Sequence, residues 1–202
     1  MTEPAGRPPN PPAWCGDTED PWRPWSRAAS FAELAELAAR FLEGELEAFP
    51  GWGAPDVDEE SDPVVRTLAR CCRAGFLTVA SQPAGAMRPG ADGRCERRRA
   101  FVSGFASSSA ATRLGTLRSR GLRVAIAPAR VLGTDPGPPV GLRDREPFLF
   151  AGHGAGPIEL DLFAGPCGEE AVAALTETSW VVVHDPDWDR DDRLWSALHG
   201  VS

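Results

Sequence analysis

The sequence predicts an α+β protein: a mixed β-sheet of about five to six strands with helices packed on it, and a flexible proline-rich arm in front. Three observations carry this reading. Helical and strand periodicities both occur, but with no internal repeat and no regular βα alternation, which argues against a doubly wound parallel sheet. The chain has 202 residues, enough for one domain with a sizeable core. The third observation is residues 179–195, SWVVVHDPDWDRDDRLW. Trp180, Val181, Val182 and Val183 form the β-branched and aromatic run of a strand covered on both faces. Asp185-Pro186 stops that strand, because proline has no N–H for a ladder. An acidic turn, 187–192, follows, then Leu194, Trp195 and Leu198 at helical spacing, with Gly200 where a helix ends. Trp195 is expected to pack on the sheet beside Val182, with the acids capping this final helix.

Residues 1–24 hold seven prolines and no periodicity, which sets an arm ahead of a single domain over 25–202. Trp22 and Trp25 either fold back onto the body or dock a partner. Ser30 and Glu33 form a capping box, and Phe31, Leu34, Ala38, Phe41 and Leu42 then line one face of a helix that ends before Pro50-Gly51. Asp62-Pro63 reads as the N-cap and first position of a second helix, with Val64, Val65, Leu68, Cys71 and Cys72 on its apolar face and Gly75 closing it. A strand over 76–79 stops at Ser81-Gln82-Pro83, and 83–95 reads as a Gly/Pro-rich loop. Residues 97–106 alternate as one strand. Residues 107–109 cap a short helix over 111–120, and Leu122, Val124 and Ile126 form the next strand. Residues 128–146 read as a long Pro/Gly loop. Phe148-Leu149-Phe150 and 158–162 read as strands around a glycine-rich turn, and 168–175 as a helix.

A net charge of −8 disfavours nucleic acid and anionic membrane as partners. No apolar run approaches the ~20 residues of a membrane span, and the N-terminal residues lack the basic head and apolar core of a signal peptide. Five cysteines without framework spacing point to reduced thiols, so a cytoplasmic protein is expected. Asp185, Asp187, Asp189 and Asp191 alternate as in a calcium loop, but Arg190 stands where such loops need glycine and Ser196 where they need glutamate. Pro166-Cys167-Gly168-Glu169 lacks the second cysteine and the His-x-Glu of a zinc deaminase. Neither a metal nor a cofactor is expected. Cys167 paired with His153 or His184 has no local support as a thiol hydrolase, and His184 reads as a structural imidazole at a strand end. Gly152-x-Gly154-x-Gly156 lacks the Lys-Ser/Thr of a phosphate loop and reads as a turn.

The basic cluster is Arg94, Arg97, Arg98 and Arg99. On a strand Arg97 and Arg99 share a face while Arg98 takes the other. With Ser81 and Gln82 from the preceding strand end they make a candidate anion site, set against a solvated strand entry. Candidate binding residues are therefore Ser81, Gln82, Arg97, Arg98 and Arg99, the arm tryptophans Trp22 and Trp25, and Asp185, Trp188 and Arg190 on the acidic turn. No residue is assigned a catalytic role.

Several phrases resemble an uncharacterised family of small actinobacterial proteins, a domain of unknown function common in streptomycetes. They are Trp25-Ser26-Arg27-Ala28 leading into residues 34–44, Arg73-Ala74-Gly75-Phe76-Leu77-Thr78 with Ser81-Gln82-Pro83, Arg98 with Ala100, Val102, Gly104 and Phe105, and Asp185-Pro186-x-Trp188-x-Arg190 with Leu194-Trp195. The similarity covers about residues 25–198. The family usually carries glycine where Asp189 stands, and the loop 128–147 looks particular to this chain. The resemblance implies a cytoplasmic actinobacterial protein and brings no activity. The leading expectation is a non-enzymatic interaction or regulatory protein with a protein partner. The alternative is an enzyme or anionic-ligand binder that uses the Ser81-Gln82-Pro83 strand end and Arg98.

Overall fold

The computed structural model describes residues 20–52, 64–89, 93–190 and 192–201. Its strands fall into two antiparallel sheets of four, in place of the one mixed sheet expected, and the α+β class holds. In the first sheet, β1 (Phe76–Gln82), β4 (Phe101–Ala106), β8 (Ser179–His184) and β5 (Arg123–Pro128) lie in that order. In the second the order is β2 (Gly85–Pro89), β3 (Cys95–Arg98), β6 (Pro139–Arg143) and β7 (Glu146–Phe150). The strand expected over 97–106 is two strands, cut at Arg99-Ala100, where the chain passes from the second sheet to the first. β2 and β6 lie inside segments read as loops. Both are short and rich in Gly or Pro, and pairing with β3 rather than intrinsic propensity holds them.

β8 is the middle of the core. Trp180 and Val182 face a layer containing α2 (Phe31–Leu42), α5 (Gly156–Ala164) and α6 (Glu169–Thr176). Val181 and Val183 face α4 (Ser108–Gly115) and α7 (Asp192–His199) on the other side. Trp195 packs in this second layer, so its sheet neighbours are Val181 and Val183 rather than Val182, which points the opposite way. All six residues of β4 are buried. At Gly104 an added Cβ would sit 2.0 Å from the Leu77 carbonyl oxygen, so the bulge between Thr78 and Ala80 brings β1 too close for any side chain there.

The helix at 31–42 starts as expected: the Glu33 N–H donates to Ser30 Oγ (3.2 Å), and Glu33 accepts from the Ala29 N–H (2.8 Å). α3 runs Val65–Arg73, and the cap expected at Asp62-Pro63 lies outside the described residues. Arg23–Arg27 form a short helix, α1, with Pro24 in its first turn. Trp25 is 0 % exposed, donates from Nε1 to the Ala48 carbonyl (3.0 Å) and packs its ring edge-on against Phe49 and Phe163. The segment 158–162, expected as a strand, belongs to α5. Its alternation Ile-Glu-Leu-Asp-Leu misleads because the buried set is Gly156, Leu160 and Phe163, at helical spacing, with Ile158 and Leu162 left exposed. Pro157 in the first turn is the start signal. Among the described residues no helix is long and apolar enough to cross a membrane.

Candidate functional site

The two sheets meet where β1 leads into β2 and β3 leads into β4. Gln82, buried at the end of β1, clamps that junction: its Nε2 donates to the carbonyls of Arg99 (3.0 Å) and Val140 (3.1 Å). The Arg99 N–H donates to Val140 as well (2.8 Å), and the Asp185 N–H, just past β8, donates to the Ala100 carbonyl (3.0 Å). The ends of β1, β3, β6 and β8 are thereby hydrogen-bonded to one another.

Onto this junction folds the acidic turn. Trp188 lays its ring against Arg99, whose Cζ is 4.1 Å from the ring centroid, and Arg97 Cζ lies at 5.5 Å. Arg97 also holds Asp189 by a fork, Nε at 2.9 Å from both carboxylate oxygens and Nη2 at 2.5 Å from Oδ2. This pairing keeps the Asp189 carboxyl below its usual range. Arg193 binds Asp187 and reaches Asp185 Oδ1 at 3.3 Å, and the Asp187 N–H donates to the same Oδ1 (2.9 Å). Of the four acids in the turn, Asp187 and Asp189 are therefore tied to arginines of the body or of α7, and Asp192 lies in the first turn of α7.

Two histidines complete the site. His184 ends β8, buried, directly opposite Arg123 on one side and Phe101 on the other. Its ring stacks on His153, with centroids 6.3 Å apart and planes at 28°. His153 belongs to the glycine-rich turn after β7, and its Nδ1 lies 3.5 Å from Asp135 Oδ2. Gly137, at φ +78°, brings the 135–137 segment against the imidazole so closely that a Cβ there would sit 2.8 Å from the ring. Burial lowers the pKa of His184, and Arg99, His153 and Arg123 lower it further. A hydrogen bond to the Asp185 backbone carbonyl acts in the opposite sense. Burial likewise lowers the pKa of Arg99, partly offset by Asp185 and Asp187.

Among the described residues, three buried polar atoms have no hydrogen-bond partner: Arg99 Nε, His153 Nε2 and Asp185 Oδ2. Asp185 is 0 % exposed. A buried donor or acceptor left unmade costs about 1–3 kcal/mol. All three lie at or beside this junction.

Of the residues singled out from the sequence, Gln82, Arg97, Arg99, Asp185 and Trp188 come together here. Ser81 pairs with Val102 in the β1–β4 ladder, one residue before the clamp. Arg98 points to the other face of β3 and pairs with Glu96 (3.3 Å), which Arg143 also holds (2.6 Å). Arg190 pairs with Asp192 (3.1 Å) at the surface. Trp25 is a core residue, and the half-buried Trp22 packs against the same core. Sequence reasoning placed His153 in a plain turn and His184 in a structural role, and assigned nothing to Arg123, Asp135 or Arg193. The signal for the two histidines was their place at strand ends, His184 as the last residue of β8 and His153 just past β7.

Cys167 is buried in the core beneath α1, with its thiol pushed up to about 12 by burial. Among the described residues no group of three or more His, Cys, Asp or Glu is arranged to hold a metal ion. Residues 20–201 match the model of a family described as Domain of unknown function (DUF6919). No curated protein matches the chain.

Proposed function

The chain belongs to this family, and from the geometry of the junction we propose that it is a non-enzymatic binding protein for a small anionic ligand, seated beside Arg99 where the two sheets meet. The observation that carries this reading is the unpaired, buried Arg99 Nε–H, on a guanidinium whose desolvation Asp185 and Asp187 only partly offset. Guanidinium keeps its charge and has donors only, so a buried edge without a partner calls for an acceptor, and an anion best of all. Arg99 takes the role the sequence offered to Arg98. Ligand occupancy would tie the 185–190 turn more firmly to the junction, which suits a regulatory protein. The proposal places it in an actinobacterial cytoplasm, in keeping with the free thiols Cys71, Cys72, Cys95 and Cys167.

Thermal melts in the presence of millimolar phosphate and small carboxylates test this. Binding to the folded state alone raises Tm, the stabilisation growing with the logarithm of ligand concentration above Kd. Wild type should show this rise, and it should be lost in Arg99→Lys, which keeps the charge and removes the Nε–H. An equal rise in both would mean general ionic screening and would remove the site.

A second reading, a protein partner, is favoured by the outer face of α5. Ile158 (59 % exposed) and Leu162 (39 %) lie one turn apart, and Leu162 abuts Gly51, next to the exposed Trp52 (41 %). Affinity capture from the native host should lose a specific partner when Ile158 and Leu162 are both changed to Glu. Unchanged capture would discard this face.

A further inference from the structure

We infer that the ligand of the junction is an oxyanion that still carries a hydrogen-bond donor, hydrogen phosphate being the simplest of the class. The inference rests on the reading above, that the junction takes a small anion. Two atoms carry it, a guanidinium N–H that can only donate and a carboxylate oxygen that accepts when ionised.

Arg99 Nε is a donor only. Asp185 Oδ2 belongs to a carboxylate whose other oxygen already accepts the Asp187 N–H and faces Arg193 Nη1. Oδ2 itself accepts nothing and is shut away from water. The two groups lie on one hydrogen-bonded seam: the Asp185 N–H donates to the carbonyl of Ala100, the residue after Arg99. Asp185 is also among the charges that act on the Arg99 guanidinium.

A fully deprotonated oxyanion, such as sulfate or acetate, meets one demand and offends the other. Its oxygen accepts from Arg99, but every atom it turns to Asp185 is a lone pair against a carboxylate. Hydrogen phosphate meets both, one P–O⁻ accepting from Arg99 and the P–O–H donating to Asp185 Oδ2. A hydroxy acid does the same with its carboxylate and its hydroxyl. Sites that hydrogen-bond a ligand hydroxyl reject analogues lacking it far better than apolar pockets reject a missing methylene, because the buried partner is left unmade.

Titration calorimetry on the full chain at neutral pH and constant ionic strength, with phosphate against sulfate and glycolate against acetate, decides this. Phosphate should bind at least about tenfold tighter than sulfate, and glycolate at least about tenfold tighter than acetate, the ratio expected for one buried hydrogen bond to a charged group. Asp185→Asn, which can present an N–H, should bring sulfate level with phosphate. Its fold is checked by circular dichroism, and the wild-type pairs decide the matter should the variant fail to fold. Equal affinities within both wild-type pairs would overturn the inference and leave the anion site standing. No saturable binding of any of the four would overturn both.

Discussion

Arg97 and Arg99, two residues apart at the end of β3, face the same way and meet one partner element, the acidic turn. What each holds there differs. Arg97 is spent on Asp189, while Arg99 stacks on Trp188 and keeps its Nε edge unpaired. Asp189 sits at φ +61°, a left-handed conformation that costs a non-glycine residue on the order of 1–2 kcal/mol. The fork to Arg97 offsets that cost. Replacing the side chain separates the two effects: Asp189→Gly and Asp189→Ala both lose the ion pair, and only alanine keeps the strain. In urea melts the glycine variant should be the more stable by about 1 kcal/mol, and the reverse order would show that the backbone there is relaxed. His184 makes the second residue-scale prediction. Burial, with Arg99, His153 and Arg123 beside it, sets its folded pKa below the ordinary value of about 6.5. The unfolded chain therefore binds a proton the folded chain refuses, and stability falls as pH drops below about 6.5, levelling off only below the folded pKa. His184→Gln should flatten the slope of stability against pH between about 7 and 5. An unchanged slope would place the acid sensitivity elsewhere.

Elements with a strong period were legible in the sequence, and those made by tertiary pairing were not. The capping box of α2, the doubly covered β8 and the apolar face of α7 each announce themselves within a dozen residues. β2 and β6 do not, since their residues are half exposed and their stability comes from β3 between them. The break at Arg99-Ala100 was hidden because alternation continues through it, although the chain changes sheet there. For the site, the sequence yielded Gln82, Arg97 and Arg99 within one candidate anion site, with Asp185 and Trp188 apart on the acidic turn. It could not show that 17 residues of separation between Gln82 and Arg99 close to a hydrogen bond, nor that His153 stacks on His184. α7 carries the element-scale prediction. Trp195→Ala removes a buried aromatic from the layer shared with Val181 and Val183 and should cost about 3–5 kcal/mol. Asp192→Asn, on the exposed side of the same helix, should cost far less. If the tryptophan variant melts like wild type, α7 is not held by its apolar face. The thiols give an independent check on burial: alkylation of the native protein followed by peptide mapping should label Cys95 quickly and leave Cys71, Cys72 and Cys167 slow. Rapid labelling of Cys71 or Cys72 would mean that α3 presents another face to the core.

Across the whole molecule, the first sheet supplies the core, and the proposed anion site lies where the second sheet joins it. β1, β4 and β8 are covered by helices on both faces, so their ends are held rigidly. The second sheet is joined to them through Gln82, Arg99 and Val140. The acidic turn folds over the seam through Trp188, and the Asp185 N–H just before it bonds the carbonyl of Ala100, next to Arg99. A site on such a seam is positioned by two bodies at once, and a ligand there couples them. The central claim, that this seam binds a small anion through Arg99, is most directly tested by the ¹H–¹⁵N resonance of the Arg99 Nε–H, assigned by its loss in Arg99→Lys. On addition of phosphate that signal should shift saturably, while the Arg97 Nε–H, already paired with Asp189, moves little. If the Arg99 signal stays in place, or drifts no more than those of the surface arginines, phosphate is not bound at this seam and the claim is wrong.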